Sequence, residues 1–456
     1  MMGIDTMKKK GKQKKYLYDI RNNHKLFRSR YRKNKRGIVR KYNEYINEYD
    51  NFVGSDYRKV IHYLEYGNFG KSRHYPRKNK TAYIKIPEVF SVSTDAQSAI
   101  RLLQQIYSAA HNLRIEKIVF DHSHCINLGL SASTITDVIV LAVDRYRQKQ
   151  GKPLVMEGSL PYNENARNVL LASGLPYHIN ADTPMRYDKK QVERFETIKG
   201  THSMSANKAD ETATKLTNYF NKCLRTQNME LNGEGKRILS RIFGEVISNC
   251  EIHGGDQATW YTQGHYQNRS DDFYGEMQLL FLNIGETIYE GLKKDSSDET
   301  KDRLARMMKK HQKHINAGWD EEMIYTVFAL QEGVSRLRDK HVEGYQWRGS
   351  GTVSMIEMFN EIGESETGLK PNMTILSGNT QIVFTDKYKM DIVKFQEDVV
   401  FGNGERKIIA FNETNDIYKP GDSENVKKIS EYFPGTVISL RFYLDSRYIS
   451  SLKRNG

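Results

Sequence analysis

Apolar residues recur at helical spacing through RILSRIFGEVISNCEIHGGD, residues 237–256. Ile238, Leu239, Ile242, Phe243, Val246, Ile247 and Cys250 define a broad apolar face. Glu245 and Asn249 stand one turn apart and share a side of this helix. At ~100° per residue, Asn249 projects between Ile238 and Ile242 and Glu245 lies at the edge of that face. A buried carboxylate and amide are costly unless paired or turned toward a polar ligand. The pair is therefore either a tolerated polar spot at a core margin or part of a site. Gly254 and Gly255 supply a left-handed stop.

The same periodicities organise the rest of the chain. From Thr81, strands alternate with helices. TAYIKIPEVF is a strand, AQSAIRLLQQIYSAAHNL a helix, EKIVFDHS a buried strand and SASTITDVIVLAVDRYRQKQG a helix. KPLVMEG is a strand, and ENARNVLLASG a short helix closed by Gly174. This order predicts a small α/β domain over residues 81–182. VERFETIK then reads as a strand and SANKADETATKLTNYFNKCL as a helix capped by Ser203 or Ser205, leading into the helix above. Beyond it, ATWYTQGHYQ alternates with period two and GEMQLLFLNIG ends in an apolar run. Two charged helices follow, DETKDRLARMMKKHQKHI and DEEMIYTVFALQEG, expected as a cover over a site (a lid, about 286–348) rather than as core. RGSGTVSMIEMFNEIG is a glycine turn opening a helix, MTILSG and TQIVFTD are strands around a turn at Gly378-Asn379, 387–430 is an elaborated hairpin or an insertion, and FPGTVISLRFYLD is the last strand. The fold class expected is α+β, with a second domain over 188–456.

Charge changes the picture only at one end. Residues 1–80 hold 23 Lys and Arg against 7 Asp and Glu, whereas the whole chain of 456 residues carries +14, so the remainder is near neutral. This stretch reads as a basic arm and linker. Tyrosines interleaved with the charge over residues 1–50 suit a nucleic-acid backbone with stacking, or a solvated tail that docks on a protein. No apolar run approaches the ~20 residues that span a bilayer, and the basic N-terminus lacks an apolar h-region. Cys125, Cys223 and Cys250 are widely spaced, which fits a reducing cytoplasm rather than a disulfide framework.

Four features occur in order. They are helix E-x-x-x-N ending in HG (Glu245, Asn249, His253, Gly254); a strand ending in N-x-G (Asn283, Gly285); a glycine turn opening a helix (Arg348, Gly349, Ser350, Gly351); and Gly435-Thr436 before a last strand. The ordered set over about 190–456 resembles the GHKL ATP-binding fold of gyrase B subunits, heat-shock chaperones, histidine kinases and MutL proteins. That resemblance implies a Bergerat-type α/β sandwich, a mixed sheet with helices on one face. It implies ATP and Mg²⁺ as ligands, Asn249 as an amide ligand to Mg²⁺, Glu245 as the group that orients or deprotonates an attacking water or hydroxyl, and Thr436 near the adenine. Gly349 and Gly351 would admit phosphate oxygens to backbone N–H groups at a helix start. Arg348 either pairs with a phosphate or is a surface charge on the lid. His253 reads as a helix-end residue, with no second His or Cys at ligand spacing. Two departures stand out. Asn283 replaces the Asp that usually accepts from the adenine amino group, and Thr287 replaces the box's second glycine. An Asn still accepts through its carbonyl oxygen, without the charge.

Strand, DHS, loop, SAS and helix over 81–180 resemble a STAS domain, in which the loop before the helix carries a phosphorylatable serine. Ser131 or Ser133 falls near that position, where a serine can equally serve as a helix cap. Three functions follow as expectations: an ATPase or ATP-driven conformational switch acting on a protein or nucleic-acid partner; a serine protein kinase resembling an anti-sigma-factor kinase fused to its antagonist; and a non-catalytic, nucleotide-sensing or nucleic-acid-binding interaction protein. A homodimer around bound ATP is a further implication of the GHKL resemblance, and signalling a fitting role.

Overall fold

The computed structural model describes residues 52–71, 73–179, 181, 185–201, 207–269, 274–315, 318–334, 351–361 and 368–445. The basic arm over 1–50, the lid residues 335–348 and Arg348, Gly349 and Ser350 lie outside the described residues, as do Ser203 and Ser205.

The molecule is α+β. Among the described residues, helix α1 (Tyr57–Tyr66) comes first. Strands β1 (Arg77–Lys78), β2 (Thr81–Lys85) and β3 (Val89–Phe90) precede helix α2 (Ala96–His111). Then come β4 (Lys117–Asp121), β5 (Asn127–Leu128), α3 (Leu130–Lys149), β6 (Val155–Ser159), α4 (Glu164–Ser173) and the short α5 (Leu175–His178). Strands β2, β4 and β6 run parallel, with β1 antiparallel at the edge. Parallel neighbours need crossovers, and α2 and α3 supply them.

The second part opens with β7 (Val192–Thr201), α6 (Lys208–Arg225) and α7 (Gly233–His253). Next come β8 (Thr259–Arg269), β9 (Tyr274–Ile284), α8 (Ile288–Asp295), α9 (Asp298–His311), α10 (Glu321–Phe328) and α11 (Gly351–Glu361). The chain ends on β10 (Asn372–Phe384), the hairpin β11 (Asp391–Asp398) and β12 (Gly402–Ile408), and β13 (Val426–Leu444). Five strands form one sheet in the order β10-β13-β9-β8-β7. A mixed sheet was expected, yet every described pairing in this sheet is antiparallel. The parallel pairings of β2, β4 and β6 belong to the first part.

Both faces of the large sheet are covered. Trp260, Tyr266, Met277, Leu279 and Phe281 point to one face and pack with α6, α7 and α11. Their neighbours Tyr261, Leu280, Leu282, Ile284 and Val437 point to the other and share a core with the first part. This is why residues 259–267 are buried throughout, although their pattern alternates. Helix α3 is buried on nearly every side and packs both against α1 and α2 and onto the sheet. Polar links reinforce the seat. Gln278 Oε1 accepts from Leu130 N at 3.0 Å, Gln263 Nε2 donates to Ser173 O at 2.8 Å, and Thr134 Oγ1 donates to Gln263 Oε1. Glu431 on β13 pairs with Arg73 at 2.7 Å and Arg101 at 3.1 Å.

Several expectations change. The arm and linker expected over 1–80 include core residues: Tyr57, Val60 and Leu64 on α1, flanked by Phe52, Val53 and Phe69. The charged helices expected as cover contribute Leu304, Met307, Met323, Ile324 and Phe328 to the second core, and α10 is buried over six of its residues, Met323 to Phe328. Gly378-Asn379 is not a turn between strands. It is a bulge within a single strand β10, with Gly378 at φ +60° and the register slipping on either side. Ser131 and Ser133 do not cap α3, whose N-cap is Gly129. At 1% and 4% exposure, both serines are sealed against phosphorylation in this arrangement.

Candidate functional site

Helix α7 starts where Asn232 accepts a hydrogen bond from Gly235 N at 2.7 Å. Leu239, Ile242, Phe243, Val246, Ile247 and Cys250 pack onto the sheet. Ile238 does not: it is 44% exposed. The buried stripe is therefore narrower than the sequence pattern suggested. Glu245 and Asn249 lie half-buried along its margin, not within it. A half-buried position lets both groups meet polar partners without full desolvation.

The end of α7 meets the ends of two strands. After Gly254, Gly255 takes φ +86°, the left-handed stop expected. A Cβ on Gly254 would lie 2.6 Å from Ala258 Cβ and 2.7 Å from Asn283 Nδ2, and one on Gly285 would strike the Gly254 carbonyl. Glycine is required at both places because the helix end and the strand end touch. Asn283 pairs in register with Thr436 on β13 and Trp260 on β8. Its Nδ2 donates to Glu286 O at 3.3 Å, which leaves Oδ1 as the acceptor of that amide. Asn283 is 2% exposed and Thr436 8%. Thr436 Oγ1 lies 3.0 Å from Ser377 Oγ, which in turn accepts from Ile288 N at 2.9 Å. The third box approaches along the helix, because a side chain on Gly351, the first residue of α11, would collide with the Glu245 carboxylate. The positive end of α11 suits that carboxylate.

The structure thus brings Asn283, Gly285 and Thr436 together at one end of the sheet. It joins Glu245 to Gly351, and it places Asn249 one turn further along the same helix. Among the described residues, no group of three His, Cys, Asp or Glu side chains stands ready for a metal.

The sequence reading misses the capping role of Thr287 and the whole of Glu322 in this neighbourhood. Thr287, at the place of a second glycine, N-caps α8: its Oγ1 accepts from Glu290 N at 3.1 Å, and its own N–H donates to Glu290 Oε2 at 2.9 Å. T-x-x-E ahead of an amphipathic run is a legible capping box. Glu322 on α10 reaches the β10 bulge, where it accepts from Asn379 N at 2.6 Å and lies against Gly378. Burial is the main cause that pushes the Glu322 carboxyl up to about 7; the Asn379 N–H opposes it, and Asp320 and Glu290 add to it. No sequence signal marks this residue, since it stands in a run of three acids.

A raised carboxyl makes the folded chain hold its proton longer than the unfolded chain does. The stability that Glu322 confers is complete below its unfolded value near 4.5 and is lost as pH rises through 7. Glu322→Gln is expected to remove a stability loss of about 1–3 kcal/mol between about pH 5 and pH 8. Urea melts of both proteins across that range check it; parallel pH profiles would contradict the assignment.

Comparison with family models, with curated proteins and with solved structures finds no match to this chain. Among the described residues, no helix is long and apolar enough to cross a membrane.

Proposed function

We propose that residues 188–456 form a Bergerat-type ATP-binding unit of the GHKL kind, and that the chain hydrolyses Mg-ATP or uses it as a conformational switch on a partner. One observation carries this reading. Boxes far apart in sequence, Asn283-x-Gly285, Gly435-Thr436 and Gly351, converge on the two ends of the helix segment that bears Glu245 and Asn249. A core-margin polar spot gives no reason for that convergence.

In this reading Mg²⁺ supplies neutralisation of phosphate charge when bound. Asn249 offers it an amide oxygen, and Asn283 Oδ1 accepts from the adenine amino group with a neutral, weaker bond than an Asp would form. Ser377 holds Thr436 in place beside it. Glu245, half-buried on α7, orients or deprotonates the attacking water. Residues 81–182 would act as a STAS-like partner module, with β2, β4 and β6 in parallel as support for that likeness. The arm over 1–50 would meet a protein or nucleic-acid partner, and a homodimer in the cytoplasm would suit a signalling role.

Mg-ATP at 100 times its Kd should stabilise the full chain by about 2.7 kcal/mol, read as a saturable rise in Tm. Asn249→Ala should lose most of that rise. If Mg-ATP leaves the wild type unmoved, the nucleotide reading fails. Where binding is present, release of phosphate to water, its transfer to protein, or neither separates ATPase, kinase and binding-only forms.

A further inference from the structure

The face of the large sheet turned toward the first part is apolar near Asn283 and polar at its other end. Along β8 the residues on this face are Tyr261, Gln263, His265, Gln267 and Arg269; along β9 they are Glu276 and Gln278, then Leu280 and Leu282. Arg441 on β13 pairs in register with Gln278, and His265 faces Gln278 from β8. Helix α4 and strand β5 cover this polar lane but do not fill it. They bound a cavity of about 180 Å³ that stays partly open to solvent, lined from above by Asn127, Asn165 and Ala166. It lies about 20 Å from Asn283 along β9, at ~3.3 Å per residue.

The cavity's polar groups are only partly satisfied. Glu276 takes Arg269 Nη2 on Oε2 at 3.0 Å, and Arg441 Nε at 3.4 Å and Gln278 Nε2 at 3.3 Å on Oε1. Both carboxylate oxygens are therefore engaged, while two guanidiniums face one carboxylate and leave a net positive charge. Arg269 Nε is buried without a hydrogen-bond partner. His265 is 2% exposed; its Nδ1 lies 3.4 Å from Ser173 Oγ, and its Nε2 is buried without a partner. Burial lowers the His265 imidazole to about 4, so it faces the cavity as a neutral group. Unpaired buried donors next to an excess positive charge cost stability unless something fills the space.

We propose that this cavity is a second ligand site, which takes a small oxyanion, a carboxylate or phosphate compound of about six to ten non-hydrogen atoms, since a cavity near 150 Å³ holds benzene. Arg269 and Arg441 bind the oxyanion. His265 Nε2 and Gln267 meet the polar remainder. Because the walls come from both parts of the chain, the bound molecule ties α4 and β5 to the sheet and reports its presence through the seat of the first part. This site does not depend on the nucleotide reading.

The test uses the full chain with two probes, inorganic phosphate and succinate, read by thermal shift and titration calorimetry. At least one probe should raise Tm saturably, by about 2–5 °C at 100 times its Kd. Arg441→Gln should weaken that binding at least about tenfold, as loss of a charge-assisted contact does. Ala166→Leu, which fills the cavity with methyl groups, should abolish it without touching either guanidinium. Asn249→Ala should keep it, which separates the cavity from a nucleotide phosphate site. If neither probe moves the wild type, the cavity holds only water and the proposal is wrong. It is equally wrong if Arg441→Gln and Ala166→Leu respond as the wild type does, or if Asn249→Ala loses the effect.

Discussion

Gly435→Ala is expected to cost about 3–5 kcal/mol of stability. Gly435 stands at φ +130°, a region that side chains rarely adopt, and a Cβ there would run into the carbonyl oxygen of Asn283 on the neighbouring strand. Strain and collision act on the same atom pair, and neither neighbour can rotate away because both are backbone. Gly378→Ala is the control. Its φ is +60°, but its Cβ would meet the far end of the Glu322 side chain, which can swing aside by giving up its bond from Asn379 N. That change should cost about 1–2 kcal/mol. Urea denaturation followed by far-ultraviolet circular dichroism measures both. A Gly435→Ala loss no larger than the Gly378→Ala loss would show that β13 and β9 can part at this point without penalty.

The contrast between these glycines also shows what was legible beforehand. The order of elements was readable because periodicity survives in the sequence: α2, α3, α4, α6, α7, β8 and β9 all lie where their apolar spacing placed them. Gly255 ends its helix in the left-handed conformation that glycine allows, whereas Gly174 ends α4 in extended backbone. What periodicity could not express was how the two parts dock. Helix α3 carries almost no amphipathic contrast, since both its sides are covered, and a sheet with two covered faces blurs its own alternation. Helix α10 was misjudged from DEEM, whose acids cap and flank a helix that is otherwise apolar. Asp320 accepts from Met323 N at 2.9 Å, which is helix capping, not a sign of exposure.

The candidate site divides along the same line. Asn283, Gly285 and Thr436 were legible as candidates from the order of the boxes, and the strand register sets Asn283 beside Thr436. Glu245 and Asn249 were readable because they share a helix side, although the face itself was drawn too wide at Ile238. Glu322 was not readable, because its role arises from a bulge in a strand more than fifty residues away. The polar lane under α4 was equally hidden. His265, Arg269 and Arg441 lie on three sheet positions that only register and docking together make neighbours.

On the proposed reading, Glu245→Gln lowers ATP turnover by about 10²–10⁴-fold, the range lost with a positioned general base. Gln keeps the size of the side chain, so its packing against Gly351 at the start of α11 survives and the fold should hold. It removes the charge and the basic oxygen, which a water needs in order to lose its proton. The thermal shift from Mg-ATP should therefore persist in Glu245→Gln while phosphate release collapses. Asn249→Ala should do the reverse and lose the shift first. That split places the two residues, one helical turn apart, in different roles: loss of kcat at unchanged binding marks the carboxylate, and loss of binding marks the amide. Turnover within about threefold of the wild type in Glu245→Gln would remove the carboxylate from the chemistry. It would leave Glu245 as the partner that the start of α11 needs for its own stability.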